Sequence, residues 1–217
     1  MRNQAGMLLV LSVPLVTGAC LQKDTGHTLY LSPDGAVAWT IDESGAFSDQ
    51  QDAGQRFAEE QGYIGPALIG AHVAAQGLQA LGPDGLVQTQ VLRDQRPYHV
   101  VTTASFSRVD RALSRMFKDA GVRGTATLEA LDHRTTLRIR FDFRKEWPER
   151  ENAVTAMLKD VDNLSVVITD GKFIAGGGFD VPDRRRAVVS AEWLAAAEAA
   201  IEAHQEIELV LSWSVWE

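Results

Sequence analysis

The chain has 217 residues, a formal net charge of −8 and globular proportions of hydrophobic (45%) and charged (23%) residues. Nucleic-acid binding relies on clustered Lys and Arg side chains that neutralise phosphates, so the acidic composition argues against a nucleic-acid partner. It argues equally against electrostatic adhesion to anionic lipid.

The first twenty residues, MRNQAGMLLVLSVPLVTGAC, have the layout of a secretory signal. Arg2 supplies a positive charge, and residues 5–16 form an apolar stretch too short to span a bilayer permanently. The alternative is a buried first strand or helix of a cytosolic protein. The small residues before Cys20 and the abrupt change to polar residues after it favour the signal.

Residues 16–20, VTGAC, resemble the lipobox of bacterial lipoproteins, in which small residues precede a cysteine that is lipidated and becomes the new N-terminus. Thr17 departs from the leucine that the family most often carries. The resemblance covers residues 1–20 alone. It implies a diacylglyceryl thioether on Cys20, usually with a third acyl chain such as palmitate on its amine, and two or more chains give stable membrane anchoring.

Cleavage before Cys20 would leave 198 residues with a net charge of −9, because Arg2 is removed with the leader. In the Gram-negative lipoproteins that this motif resembles, a residue other than aspartate after the cysteine favours the outer membrane, so the resemblance implies that Leu21 directs the chain there, facing the periplasm. The single cysteine permits no internal disulfide. The expected organisation is a signal peptide at 1–19, a lipidated N-terminus and tether at 20–26, and one α+β domain at 27–217.

The first half of the mature chain combines a hairpin with two helices. Pro33-Asp34-Gly35 separates two alternating apolar runs, which is typical of a hairpin turn. Ser48 can cap a helix over 49–61, a Gly/Pro-rich connector follows at 62–70, and a weak helix is predicted over 71–81.

The second half continues with hairpins and single helices. Apolar alternation predicts strands at 87–92, 98–106, 125–131, 135–143, 164–168, 173–175 and 207–215. Thr169-Asp170-Gly171-Lys172 is interpreted as the turn of a hairpin that joins 164–168 to 173–175. Helices are predicted after Ser107, at 149–161, and at 191–204 with Ser190 as cap. This pattern favours an α+β fold, with one mostly antiparallel twisted sheet built from hairpins and four to five helices packed on one face. Two smaller sheets, divided near 62–70, are the alternative.

Few residues point to chemistry. The five histidines do not pair at spacings that bind a metal, and each is interpreted as a loop or surface residue: His27, His72, His99, His133 and His204. The carboxylate pairs are interpreted as solvated helix ends: Glu59 with Glu60, and Asp160 with Asp162. The sequence therefore predicts no catalytic residue, metal site or cofactor, and Cys20 is the one predicted site, for lipidation.

These patterns lead to two hypotheses for function. The first is a non-enzymatic, membrane-anchored envelope lipoprotein whose domain binds an apolar ligand such as a lipid, or a protein partner. The alternative is a lipid-anchored periplasmic hydrolase whose site residues are distant in sequence. A cleft with converging, desolvated titratable groups would support an enzyme, and a solid core would leave partner binding.

Overall fold

The computed structural model describes residues 21–144 and 157–215 of the chain. Within these ranges the protein forms eleven strands and five helices, and the strands are mostly antiparallel, which confirms the predicted α+β class. The strands divide into two sheets. The division does not fall near 62–70, because strands from the second half of the chain return to the first sheet.

The larger sheet has seven strands. They are β1 (Leu21–Leu31), β2 (Val37–Ser48), β3 (Gln88–Arg93), β4 (Tyr98–Phe106), β7 (Leu164–Ile168), β9 (Phe179–Asp183) and β10 (Arg186–Val189). Their order is β3-β4-β2-β1-β7-β10-β9. The β1–β7 pair is parallel, and the other pairs of this sheet are antiparallel.

The smaller sheet has four antiparallel strands in the order β5-β6-β11-β8. They are β5 (Gly124–Leu131), β6 (Arg134–Asp142), β8 (Lys172–Gly177) and β11 (Glu206–Ser214). Strand β6 shows why the sheet forms, since Leu137, Ile139 and Phe141 are buried while Arg138 and Arg140 between them are exposed. One face of the sheet covers the core and the other meets solvent.

The helices are α1 (Ala53–Leu68), α2 (Val73–Ala80), α3 (Val109–Asp119), α4 (described over 157–162) and α5 (Ala191–Glu202). The predicted cap of α5 is confirmed, because Ser190 Oγ accepts a hydrogen bond of 3.2 Å from the backbone N–H of Trp193.

Helix α1 differs most from its prediction. It begins after Asp52, whose side chain accepts from the backbone N–H of Gln55, and it runs to Leu68 through most of the predicted Gly/Pro connector. Tyr63, Ile64 and Ala67 are buried on its inner side, and this packing overrides the weak helix propensity of the segment.

Most of the hydrophobic core is one cluster shared by both sheets. Phe117 of α3 and Trp193 of α5 each pack a ring against Phe141 of the smaller sheet, at centroid distances of 5.5 and 5.9 Å. A second, smaller cluster lies beneath α1 and contains Ala46, Tyr63, Ile64, Ala67, Tyr98 and Val100. The two clusters provide the apolar burial that stabilises the fold.

The β1–β2 turn joins the two sheets. The Pro33 carbonyl accepts hydrogen bonds from Trp213 Nε1 (3.4 Å) and Thr135 Oγ1 (3.3 Å), both in the smaller sheet. Gly35 has a φ of +88°, and a Cβ at this position would collide with the Leu128 side chain. The turn therefore requires glycine both for its conformation and for its close approach to β5.

The N-terminal end of the described chain corrects one expectation. Residues 21–26, expected as a tether, belong to β1, where Leu21 pairs with Ser48 and Gly26 with Asp42. The side chain of Leu21 is partly buried against the smaller cluster beneath α1. No flexible spacer therefore separates residue 20 from the fold, while Cys20 itself lies outside the described residues.

Candidate functional site: an apolar cleft over a buried histidine

A cleft opens between helices α2 and α3 above the larger sheet. Its cavity volume is about 30 Å³, and ten residues line it: His27, Trp39, Ile41, Gly77, Leu78, Ala80, Leu81, Met116, Asp119 and Ala120. All but His27 and Asp119 are apolar or glycine. The site is thus a mainly hydrophobic recess, the type of surface that binds apolar small molecules.

The floor of the cleft is set by strand register. In β1, His27, Leu29 and Leu31 share the buried face, and His27 pairs directly with Ile41 of β2. Trp39 lies two residues from Ile41 on the same face. An imidazole, an indole and an aliphatic side chain are therefore brought together from two neighbouring strands.

His27 is 3% exposed and its hydrogen bonding fixes its tautomer. Trp39 Nε1–H donates to His27 Nδ1 at 3.3 Å, so in the neutral ring the proton is on Nε2. Nε2 lies 3.8 Å from Asp160 Oδ1, too far for a hydrogen bond. Among the described residues, neither His27 Nε2 nor Asp160 Oδ2 has a hydrogen-bond partner.

Burial sets the charge of this pair. It lowers the pKa of His27 to about 4 and raises the pKa of Asp160 to about 8. Both side chains are therefore mainly uncharged at pH 7. A His–carboxylate pair that activates a nucleophile needs an ionised carboxylate, and none of the ten lining residues is Ser, Thr or Cys. The arrangement suits binding of an uncharged group better than hydrolysis.

A second buried polar cluster lies further along the same sheet face. Glu43 is 4% exposed, forms an ion pair with Lys23, and has Oε2 3.3 Å from Nδ1 of His72. The Tyr63 ring packs edge-on against His72 at 5.1 Å, and burial, with Glu43 and Asp42 nearby, raises the pKa of the Tyr63 hydroxyl. This cluster lies between the N-terminal part of β1 and the start of α2.

His72 also has a structural role at the start of α2. Its Nδ1 accepts from the backbone N–H of Ala74 at 3.4 Å, which caps the helix. Burial is the largest effect on its pKa and lowers it, with Glu43 opposing and Lys23 reinforcing the change. His72 therefore serves to hold α2, the helix that forms one wall of the cleft.

The histidine interpretation was wrong for two of the five residues. His27 and His72 are each 3% exposed, whereas His133 lies exposed in the β5–β6 turn and His204 lies exposed after α5. His99 is partly buried and its Nε2 lies 3.0 Å from Asp42 Oδ1. Continuing the β1 alternation two residues towards the N-terminus would have placed His27 on the buried face.

The carboxylate interpretation needs a similar correction. Glu60 is 8% exposed, accepts from the Ser48 backbone N–H at 3.1 Å, and lies 3.3 Å from Arg96 Nε. Asp160 has a side chain only 14% exposed, whereas Asp162 is exposed. In both sequence pairs, one carboxylate therefore faces the interior, because tertiary packing covers that side of the helix.

No group of three or more His, Cys, Asp or Glu side chains within 21–144 and 157–215 has a metal-binding arrangement. Over the same ranges, none of the helices combines the length and apolar character that crossing a bilayer requires.

Comparisons with known proteins assign the chain to no family. No family model matches it, and no curated protein sequence matches it. Among solved structures, the folded domain of LppM from Mycobacterium tuberculosis, determined by NMR, is similar over 95% of this chain and 96% of that one, with 12% identity and a TM-score of 0.39.

Proposed function

We propose that this protein is a lipid-anchored lipoprotein of a bacterial envelope whose domain binds an uncharged apolar ligand in the cleft between α2 and α3. The apolar lining of the cleft supports this most directly, since Ile41, Leu78, Leu81 and Met116 surround Trp39 with aliphatic surface. The anchor is proposed from the sequence of residues 16–20.

The electrostatics of the floor favour a ligand without charge. His27 and the adjacent Asp160 are both mainly neutral at pH 7, so the buried floor offers no counter-ion to a charged head group, and the one acidic side chain of the lining, Asp119, is exposed. Burying an unpaired charge against apolar side chains costs several kcal/mol, on the order of the total stability of a small domain. A small apolar group, such as the end of a hydrocarbon chain, fits this chemistry and the small volume of the cleft.

Blocking the cleft tests ligand binding. Ala80 is exposed and lines the cleft, so Ala80→Trp should fill the opening without disturbing the core. Ala196, exposed on α5 and absent from the lining, provides the matched control Ala196→Trp. We expect the uncharged fluorophore N-phenyl-1-naphthylamine to bind the full chain saturably, and Ala80→Trp to weaken binding by about tenfold or more, equivalent to at least about 1.4 kcal/mol.

The fluorescence experiment needs a folding control, and two of its outcomes would contradict binding in the cleft. Circular dichroism should show that both tryptophan variants keep the native fold. Equal affinity in Ala80→Trp and Ala196→Trp would show that the fluorophore binds elsewhere, and an absence of saturable binding to the wild-type chain would contradict a ligand-binding cleft.

The anchor is tested separately. Cells that express the chain and are fed labelled palmitate should incorporate label, and Cys20→Ala should abolish it because no other cysteine exists. Unchanged labelling in Cys20→Ala would contradict lipidation at this residue, whatever the outcome for the cleft.

A further inference from the structure

The connection between α1 and α2 exposes an unusual amount of apolar surface. Leu68 is 62% exposed, Ile69 80% and Val73 50%, all within six positions of the chain. Single exposed apolar side chains are common and need no explanation, but a contiguous group indicates a contact surface. We refer to Leu68, Ile69 and Val73 as the apolar turn.

The apolar turn has a defined backbone. The N–H groups of Ile69 and Ala71 both donate to the Pro66 carbonyl, at 3.3 and 2.8 Å, and Gly70 adopts a φ of +72° that reverses the chain. His72, which follows Ala71, is buried and caps α2. The turn is therefore held in place between two helices, and its aliphatic side chains project from a fixed support.

A series of contacts places the apolar turn at the same end of the domain as the start of β1. Lys23 Nζ lies 5.5 Å from the centroid of the Tyr63 ring, and that ring packs on His72, the residue before Val73. Leu21 packs against the small cluster beneath α1, whose member Ala67 directly precedes Leu68.

The geometry points to a lipid bilayer as the partner of this surface. We propose that Leu68, Ile69 and Val73 insert into the interfacial region of the membrane beside the acylated Cys20. Because β1 begins at Leu21, an acyl chain on Cys20 would hold this end of the domain at the membrane with no spacer. This inference rests on the proposed anchor for the orientation of the domain.

The chemistry of the turn agrees with this partner. Residues 68–73, LIGAHV, contain no Lys, Arg, Asp or Glu. Insertion of such a segment requires no desolvation of an ionised side chain, because burial lowers the pKa of His72. It also needs no anionic lipid, which fits the acidic net charge of the chain.

Site-specific fluorescence on the full chain tests the inference. On the chain acylated at Cys20, whose only natural thiol is then occupied by the thioether, Ile69→Cys introduces the only free thiol, which is labelled with a nitrobenzoxadiazole probe whose emission rises and shifts to the blue in apolar surroundings. Leu131→Cys is the matched control, since Leu131 is 74% exposed but lies in the β5–β6 hairpin. Both labelled variants keep Cys20, so the acyl chains provide the same membrane association in each.

We expect phosphatidylcholine vesicles to raise the emission of the Ile69→Cys label by about twofold, with a blue shift, and to leave the Leu131→Cys label unchanged. A palmitate-labelled chain that floats with the vesicles without this change would overturn the inference, as would a palmitate-labelled chain that does not float at all.

A blue-shifted Ile69→Cys label before vesicles are added would also overturn it, since another part of the chain or a second copy would then cover the turn. Palmitate labelling of the wild-type chain reports the anchor independently, so failure of one proposal is distinguishable from failure of the other.

Discussion

The helix-covered face of the larger sheet and the inner face of the smaller sheet contribute to the same hydrophobic cluster, yet they differ in polar content. The first face buries His27, Glu43 and Thr102, each under 5% exposed. On the second, β6 and β11 bury apolar side chains: Leu137, Ile139, Phe141, Leu209, Leu211 and Trp213. The buried Ser212 of β11 lies beside Thr136, to which its hydroxyl is hydrogen-bonded.

This difference separates a scaffold from a site. Buried polar groups reduce stability unless they are well hydrogen-bonded, and His27 Nε2 and Asp160 Oδ2 have no partner among the described residues. The smaller sheet follows the binary pattern that stabilises a fold, whereas the larger sheet departs from it beneath the cleft. Such departures are characteristic of functional positions.

The largest expected effect tests the scaffold. Trp213 has no exposed surface and donates to the Pro33 carbonyl, so Trp213→Ala should remove both apolar burial and a hydrogen bond between the sheets. We expect the free energy of unfolding to fall by about 3–5 kcal/mol, measured by urea titration. A loss below about 1 kcal/mol would show that the smaller sheet is not a tightly packed scaffold.

A smaller effect is expected at the junction between the two sheets. Gly35→Ala should lower the free energy of unfolding by about 2–4 kcal/mol, because it combines a positive φ with a collision against Leu128. Gly70 also has a positive φ, but no heavy atom lies within 4 Å of the position that a Cβ would occupy, so Gly70→Ala should cost only about 1 kcal/mol. Equal losses in the two variants would mean that the close approach of Gly35 to Leu128 adds nothing to the cost of Gly35→Ala.

The smallest expected effect is a pH dependence of the free energy of unfolding, which tests the buried pair His27 and Asp160. Asp160 ordinarily has a pKa of 3.8 and in the fold about 8, so the folded state keeps a proton that the unfolded chain loses, and its stabilising contribution declines as pH rises through this range. His27, whose pKa is lowered from 6.5 to about 4, acts in the opposite sense between pH 4 and 6.5. From pH 6.5 to 8 the decline due to Asp160 is therefore unopposed by His27.

Replacing Asp160 should remove that decline. In urea titrations at pH 6.5 and 8, we expect the wild-type chain to lose on the order of 1 kcal/mol, and Asp160→Asn to lose much less. Asp162→Asn, at an exposed position of the same helix, is the control and should follow the wild type. Parallel pH dependence in wild type and Asp160→Asn would contradict the assignment of a protonated buried carboxyl group.

Local patterns in the sequence predicted much of the secondary structure. The Pro33-Asp34-Gly35 turn does separate β1 from β2, and alternation in 135–143 identifies β6 and its buried face. These features depend on residues close in sequence, where turn chemistry and periodicity act directly. The same patterns did not indicate which sheet each strand would join.

The segment 164–175 illustrates that limit. Thr169-Asp170-Gly171-Lys172 was interpreted as a hairpin turn, which was wrong: β7 pairs with β1 and β10, while β8 pairs with β11 in the other sheet. Gly171 adopts a positive φ close to the Ser214 backbone, so the turn carries the chain between sheets. Turn chemistry specifies a reversal of direction but not the strands that flank it.

Most of the candidate site could not be predicted from the sequence. Its floor requires the β1–β2 register, its walls require α2 and α3 to pack on one sheet face, and Asp160 approaches His27 from the helix before β7. Each of these contacts joins residues distant in sequence. Residues 16–20 were the opposite case, since a short contiguous motif carries the entire prediction of lipidation.

The strand order also determines when the protein can fold. Strand β1, at the start of the described chain, pairs with β7, and β11 occupies the position between β6 and β8. Neither sheet is complete until distant segments have been synthesised, and β8 has no sheet partner before residues 206–214 are available. Long-range pairing of this kind slows folding. The completed fold can therefore form only after β11, the last described strand, has been synthesised.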